Sequence, residues 1–263
     1  MPLAPMTPPR RVPFFRGFFW ISEGFHLVFQ SPFGWIKVIT LWFGFTMVCS
    51  MLVVIGPILF SLMLPILFAG LMVGCRAIEN GQSMTAAHLF AGFRGKSARL
   101  IALGGVNVLG EVILATLLLF WGGQRMLELQ TLSMDGTGNL EQLQSLVTDL
   151  TPIFITLALV QTVLLMLGWF APALLVFNDL SLRQALSLSG KACLINALPF
   201  LAYSLGMGAL LMALITTAFA VPILGVLLLM MGVPTLIAAV YVSYRDIFNE
   251  VVDLEDNRWT RVE

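Results

Sequence analysis

Three stretches of this chain, residues 38–75, 150–178 and 192–244, contain no Asp, Glu, Lys or Arg. Crossing the hydrocarbon core of a bilayer takes about 20 helical residues, so each stretch is long enough to span a membrane. At about 1.5 Å per residue, Val38 to Cys75 as one helix would be roughly 57 Å long, nearly twice the hydrocarbon thickness. That run must fold back, and Gly56-Pro57 is the place for it, since Pro cannot continue a helix and Gly tolerates the turn. The 53 residues from Ala192 to Tyr244 must also fold back, near Ala218–Pro222.

Six spans follow, at about 35–55, 58–75, 100–121, 152–177, 196–218 and 222–243. Composition agrees. The 263 residues are 59% hydrophobic and 11% charged, whereas a soluble domain carries about 25% charged residues to cover its surface. The expected fold class is therefore all-α, a polytopic transmembrane helical bundle within a single integral membrane domain covering 1–263. Around the spans, we expect a disordered basic N-terminus (1–16), an interfacial helix (17–33), a periplasmic loop (122–151) with a short helix in "LEQLQSLVTDL" (140–150), and a cytoplasmic tail (245–263). Arg16 and Glu23 interrupt the first apolar stretch and no small-residue cleavage site follows, so the first span reads as retained rather than as a signal peptide.

Basic residues fix the orientation. With the N-terminus inside, Arg10, Arg11, Arg16 and Lys37 lie on the inner side. So do Arg76, Arg94, Lys96, Arg99, Arg183, Lys191, Arg245, Arg258 and Arg261, leaving only Arg125 of the 14 basic residues outside. An odd span count would destroy that asymmetry, so both termini are expected in the cytoplasm. Arg76, Arg94, Lys96, Arg99 and Lys191 are the topology-determining residues nearest the span ends, placed to meet anionic headgroups. The lipid bilayer is thus the first expected partner, with membrane proteins or a second copy as further ones and nucleic acid excluded.

Gly95-Lys96-Ser97 invites a nucleotide-binding reading, which fails. A phosphate-binding loop needs a Gly five residues before Gly95, where Phe90 stands, and a strand leading into it. No cofactor is expected. The two histidines, His26 and His88, are far apart in sequence, and no Cys or carboxylate has metal-ligand spacing. Cys49, Cys75 and Cys193 read as small buried hydrophobes. No Ser/His/Asp arrangement points to an enzyme.

Two segments before spans resemble each other: "GKSARLIAL" (95–103) and "GKACLINAL" (190–198) share Gly, Lys, Ala and Leu at a constant offset. Each follows a Pro-containing span and a short amphipathic segment. In the first, Ser83 is the expected cap of a helix carrying Ala86, Phe90 and Phe93 on one face; in the second, Ser181 and Gln184 form a capping box. The unit read from this is span, interfacial helix, span, used twice in the same orientation; a duplication of the kind found among transporters and mere packing convenience in the membrane would both leave this signal. A third amphipathic helix, 17–33, carries Phe18, Ile21, Phe25, Val28 and Phe29 on one face and Glu23, His26 and Gln30 on another. Trp20 and Trp35 suit the headgroup zone.

The stretches "CRAIENGQSMTAAHLFAGFR" and "NDLSLRQALSLSGKACLINALPF" resemble a family of uncharacterised six-span inner-membrane proteins of Gram-negative bacteria. The resemblance runs from about Trp20 to Phe248. It implies a topology and an inner-membrane address and brings no catalytic residues.

Inside the predicted spans, Glu111 is the one charged group. A carboxyl at that depth costs about 2.5–3.5 kcal/mol on insertion scales and marks a functional site by default. It must hold its proton or find a partner. Asn107 lies one turn earlier on the same face, and Gln161 in span four sits at comparable depth. Glu111, Asn107 and Gln161 form the candidate intramembrane polar site; the alternative is a carboxyl that merely joins helices. Gly104, Gly105, Gly110, Gly206 and Gly208 are expected to permit close helix approach, and Asp179 with Arg183 to form a surface pair. Near absence of intramembrane charge favours a non-enzymatic structural, assembly or regulatory role in the envelope. A small permease or lipid-handling transporter with a polar site near Glu111 is the alternative. A cavity reaching Glu111 and Gln161 would favour the second, and a dry interior the first.

Overall fold

The computed structural model describes residues 8–53, 55–94, 97–135, 140–178 and 180–248. Gly95, Lys96, Asp179 and the tail from residue 249 lie outside them, so the roles expected of Lys96, of the Asp179–Arg183 pair and of Arg258 and Arg261 concern undescribed residues. Among the described residues every regular element is helical. Ten α-helices follow one another: α1 (Arg16–Phe29), α2 (Pro32–Met51), α3 (Ile55–Glu79), α4 (Ala86–Leu89), α5 (Ser97–Asp135), α6 (Leu140–Gly168), α7 (Ala171–Phe177), α8 (Leu182–Ile195), α9 (Ala197–Ala220) and α10 (Pro222–Phe248). A single 3-10 turn, Ala91–Phe93, sits between α4 and α5. Six segments are long and apolar enough to cross a membrane: α2, α3, α5, α6 with α7, α9 and α10.

Six helical segments correspond to the six expected spans, with span one ending earlier, at Met51, and several others longer than expected. Span two extends to Glu79 rather than stopping at Cys75, and span six to Phe248. The turn between spans one and two falls at Leu52–Val53, ahead of Gly56-Pro57, because Pro57 is accommodated in the first turn of α3, where its missing N–H costs nothing. A larger difference concerns 122–151, expected as a loop with one short helix at 140–150. It is helical over 122–135 and 140–151, so α5 runs 39 residues, about 58 Å. Nothing in "GGQRMLELQTLSMD" breaks a helix except the Gly pair, and Gly alone costs only about 1 kcal/mol each. Arg125 links the two helices of this hairpin through Asp149 at 3.1 Å.

The bundle is tightly packed at one end and splayed at the other. Buried residues concentrate in α1, the start of α2 (Trp35, Val38, Ile39), the second half of α3, the start of α5 (Leu100, Leu103), α7, α8 and the second half of α10. Beyond them the spans present Leu, Ile, Val and Phe outward, as at Val48, Val112, Phe120, Ile155 and Phe219. Between helices in lipid no hydrophobic force exists, because acyl chains are as apolar as Leu. Exposure there carries no penalty, so the helices can diverge.

The two termini meet at the tight end. Residues 8–16, expected to be disordered, are instead tied into the bundle. Arg10 N–H donates to Ile247 O at 3.0 Å. Val12 N–H donates to the Asn196 side-chain oxygen at 2.9 Å, while the Asn196 amide donates to Arg10 O at 3.0 Å. Fully buried Asn196 also interrupts the helix between α8 and α9.

Helix α1 packs on α9 and α10 through Gly17, Trp20, Gly24, Leu27 and Val28. A Cβ at Gly24 would lie 2.7 Å from Ala239 N and 2.9 Å from Thr235 O, so a side chain there would force the helices apart. The apolar face is split: Val28 is buried and Ile21 half-buried, while Phe18, Phe25 and Phe29 point outward. Trp20 and Trp35, expected among headgroups, are fully buried.

The repeated unit recurs in outline only. Both copies have a capped segment before a span, but the first cap is Thr85 rather than Ser83. Thr85 N–H donates to His88 Nδ1 at 3.0 Å. In the second, Ser181 N–H donates to Gln184 Oε1 at 2.9 Å as expected. Ser97 begins α5, whereas its counterpart Ala192 lies inside α8. Of the glycines expected at helix contacts, Gly104, Gly110 and Gly206 are, while a Cβ at Gly105 or Gly208 would meet nothing.

Candidate functional site

Between the tight and splayed ends lies a cavity of about 500 Å³, inside the range of about 300–1,000 Å³ typical of small-molecule sites. Its walls come from α3 (Leu64, Pro65, Phe68), α5 (Leu103, Val106, Asn107, Glu111), α6 and α7 (Gln161, Leu164, Leu165, Gly168, Pro172), and α10 (Val233, Leu236, Ile237, Val240). Trp42, Leu167, Trp169 and Leu186 complete it. All three residues predicted for the intramembrane polar site are thus brought to one cavity. Asn107 and Glu111 share a face of α5 because they are four residues apart, and Gln161 faces them from α6.

Glu111 lies about midway between Ser97 and Trp121, roughly 21 Å and 15 Å of helix from either. Its carboxyl accepts a hydrogen bond from the Ser61 hydroxyl on α3. Buried Ser61 was not legible as a partner, because nothing in a run of apolar residues says which face of α3 meets α5. What sets the approach is Gly104, whose missing Cβ would sit 2.4 Å from Leu62 O. Glu111 and Gln161 are exposed and Asn107 half-buried, so the polar wall opens sideways, toward the bilayer. Helices α5 and α6 pack together, yet α6 has no extensive contact with α9 or α10 among the described residues.

A break in span four builds one side of the cavity. Helix α6 stops at Gly168 and α7 starts at Ala171 with Pro172 in its first turn. At membrane depth the freed backbone groups need protein partners. Fully buried Ser189 of α8 supplies both: its hydroxyl donates to Met166 O at 2.7 Å and accepts from Phe170 N–H at 2.9 Å. The Cys193 thiol also reaches Met166 O at 3.6 Å, and burial pushes its pKa up to about 12. Trp169, in the break, lines the cavity, and its buried indole N–H has no hydrogen-bond partner among the described residues.

A second polar cluster lies at the tight end. Asp246 accepts from Arg16 Nε and Nη2 at 2.6 and 2.5 Å and from Trp20 Nε1 at 2.8 Å. Arg10 donates to the Asp246 backbone oxygen. Arg245 bridges Glu23 at 2.6 Å and Glu79 at 2.5 Å, and Tyr241 donates to Glu79 at 2.5 Å. Burial works against the Arg16 charge, but hydrogen bonding and attraction to Asp246, with Glu23 adding to them, outweigh it and raise its pKa above the ordinary arginine value. These groups come from α1, α3 and α10, so sequence spacing gave no sign that they would meet. Arg76 stacks over Phe177 at 4.9 Å, and Arg99 donates to Leu180 O at 2.8 Å. Arg94 and Lys191 are exposed.

No family model matches the chain, and no solved structure does either. The chain is 28% identical over 257 residues to a protein of Burkholderia thailandensis described as a probable inner membrane protein, covering 88% of this chain and 90% of that one. That relative, six apolar helices and an all-helical fold establish a multi-span integral membrane protein similar to a bacterial inner-membrane protein.

Proposed function

We propose that this protein is a lipid-handling component of the bacterial inner membrane that takes an amphiphile from the bilayer into the cavity at Asn107, Glu111 and Gln161. The carrying observation is the cavity itself: mostly apolar, laterally open, with its polar groups gathered on one side. A dry interior would have left the structural role as the better reading. No covalent chemistry is invoked, in keeping with the non-enzymatic expectation. Exchanging Glu111 for Gln keeps the shape and a hydrogen-bonding group but removes the acid. The reading expects altered lipid content of the purified protein and an altered growth phenotype in that variant. Unchanged lipid flux and growth would count against it.

Both termini in the cytoplasm is the orientation that the basic residues favour, with α1 in the headgroup layer, its outward Phe18, Phe25 and Phe29 toward lipid and Arg94 and Lys191 toward anionic headgroups. A reporter fused after Glu263 should be active only if cytoplasmic, and one inserted near Gly136 only if periplasmic. An assembly role is favoured by one observation: the α5–α6 hairpin continues well past a bilayer's thickness and offers a polar surface there. Shortening that hairpin without loss of the protein's function would argue against this second reading.

A further inference from the structure

Resting on the lipid-handling reading, we infer that the cavity selects an uncharged lipid, one whose head carries a hydroxyl or carbonyl and no phosphate. Depth is the first reason. Glu111 lies about midway between Ser97 and Trp121 and Asn107 one turn nearer Ser97, so a head reaching them must leave the interface, and moving a charge to that depth is costly whereas a neutral polar head can go if it finds hydrogen bonds. The lining is the second. No Lys, Arg or His is among the lining residues, so a phosphate would meet no counter-charge there, only the carboxyl of Glu111.

The third reason is what the polar wall offers. Two amides, Asn107 and Gln161, each carry donors and an acceptor. Ser61 occupies one oxygen of Glu111, leaving the other as an acceptor. A hydroxyl or carbonyl satisfies such a mixed set, and the Leu, Val and Phe walls take the chain. Entry is lateral, through the gap where α6 lacks extensive contact with α9 and α10.

The test uses the full chain in nanodiscs of phosphatidylethanolamine and phosphatidylglycerol. Two photoactivatable probes with the same diazirine acyl chain, a diacylglycerol and a phosphatidylglycerol, are crosslinked separately and mapped by mass spectrometry. The diacylglycerol probe should label residues 103–111 and 161–169. Asn107→Leu with Gln161→Leu should lower that labelling by roughly tenfold, the factor expected for losing one or two net hydrogen bonds. Val233→Trp narrows the cavity from α10 and leaves every polar group in place, so it should lower the labelling severalfold; its melting profile shows whether it folds, and unchanged labelling in a folded variant overturns the proposal. Equal labelling of these residues by the phosphatidylglycerol probe overturns the choice of an uncharged lipid and leaves lipid handling standing. Label from both probes confined to outward residues such as Phe120 sinks both.

Discussion

Replacing Ser189 with Ala tests whether a single hydroxyl holds the break in span four. Ser189 and Phe170 are both fully buried. Deletion of the hydroxyl removes the acceptor of Phe170 N–H, which costs about 1–3 kcal/mol for a buried unsatisfied donor. It also removes the stronger of the two donors to Met166 O, leaving the Cys193 thiol at 3.6 Å, which adds about 0.5–1.5 kcal/mol. The sum, about 3 kcal/mol, is a hundredfold in the folding equilibrium. Denaturation by SDS in mixed micelles, followed by tryptophan fluorescence, measures it. Hydrogen exchange at the Phe170 amide reports the local effect. Ser22→Ala is the control, since exposed Ser22 bonds only to Phe19 O in its own helix and should stay within about 0.5 kcal/mol. If Ser189→Ala costs no more than the control and the Phe170 amide stays protected, another contact holds the break and the reasoning is wrong.

Asp246→Ala leaves Arg16 and the Trp20 N–H without their shared acceptor; with Asp246 buried and Arg16 partly exposed, we expect a loss of about 3 kcal/mol and faster trypsin cleavage after Arg11, read by gel. His88 accepts from Thr85 N–H and so must be neutral at Nδ1, and burial lowers its pKa below the ordinary 6.5. The unfolded chain then binds the proton more readily, so this contribution is present above pH 6.5 and is lost as the pH falls through the folded-state value. Melting curves between pH 7.5 and 5 should show the loss, and His88→Ala should flatten it. Gly104→Ala pushes a Cβ against the Leu62 backbone and should destabilise by about 1–3 kcal/mol, whereas Gly105→Ala meets open space and should be neutral or stabilising by up to about 1 kcal/mol. The same SDS titration separates them.

The number of spans could be read from the chain because a bilayer imposes a length. A run without charge must cross, and a run of twice that length must turn. The positions of Asn107, Glu111 and Gln161 at one depth followed from the helical rise alone. Residues 122–135 read as loop from their polarity but are helical, whereas the short helix expected at 140–150 is present as the start of α6. Polar helix formers extend a helix beyond the membrane as readily as apolar ones fill it.

What the sequence could not decide is which faces meet. In lipid, the outward and inward faces of a span are equally apolar, so periodicity carries little signal, and the pairing of Ser61 with Glu111 depends on Gly104 letting two backbones close. The same holds for α1, where Trp20 reads as a headgroup-zone residue but the close approach at Gly17 and Gly24 brings it inside the bundle to Asp246. Composition and length determined that six helices cross. Close approach at small residues, known only once the helices are packed, decided where the cavity opens and which polar groups line it.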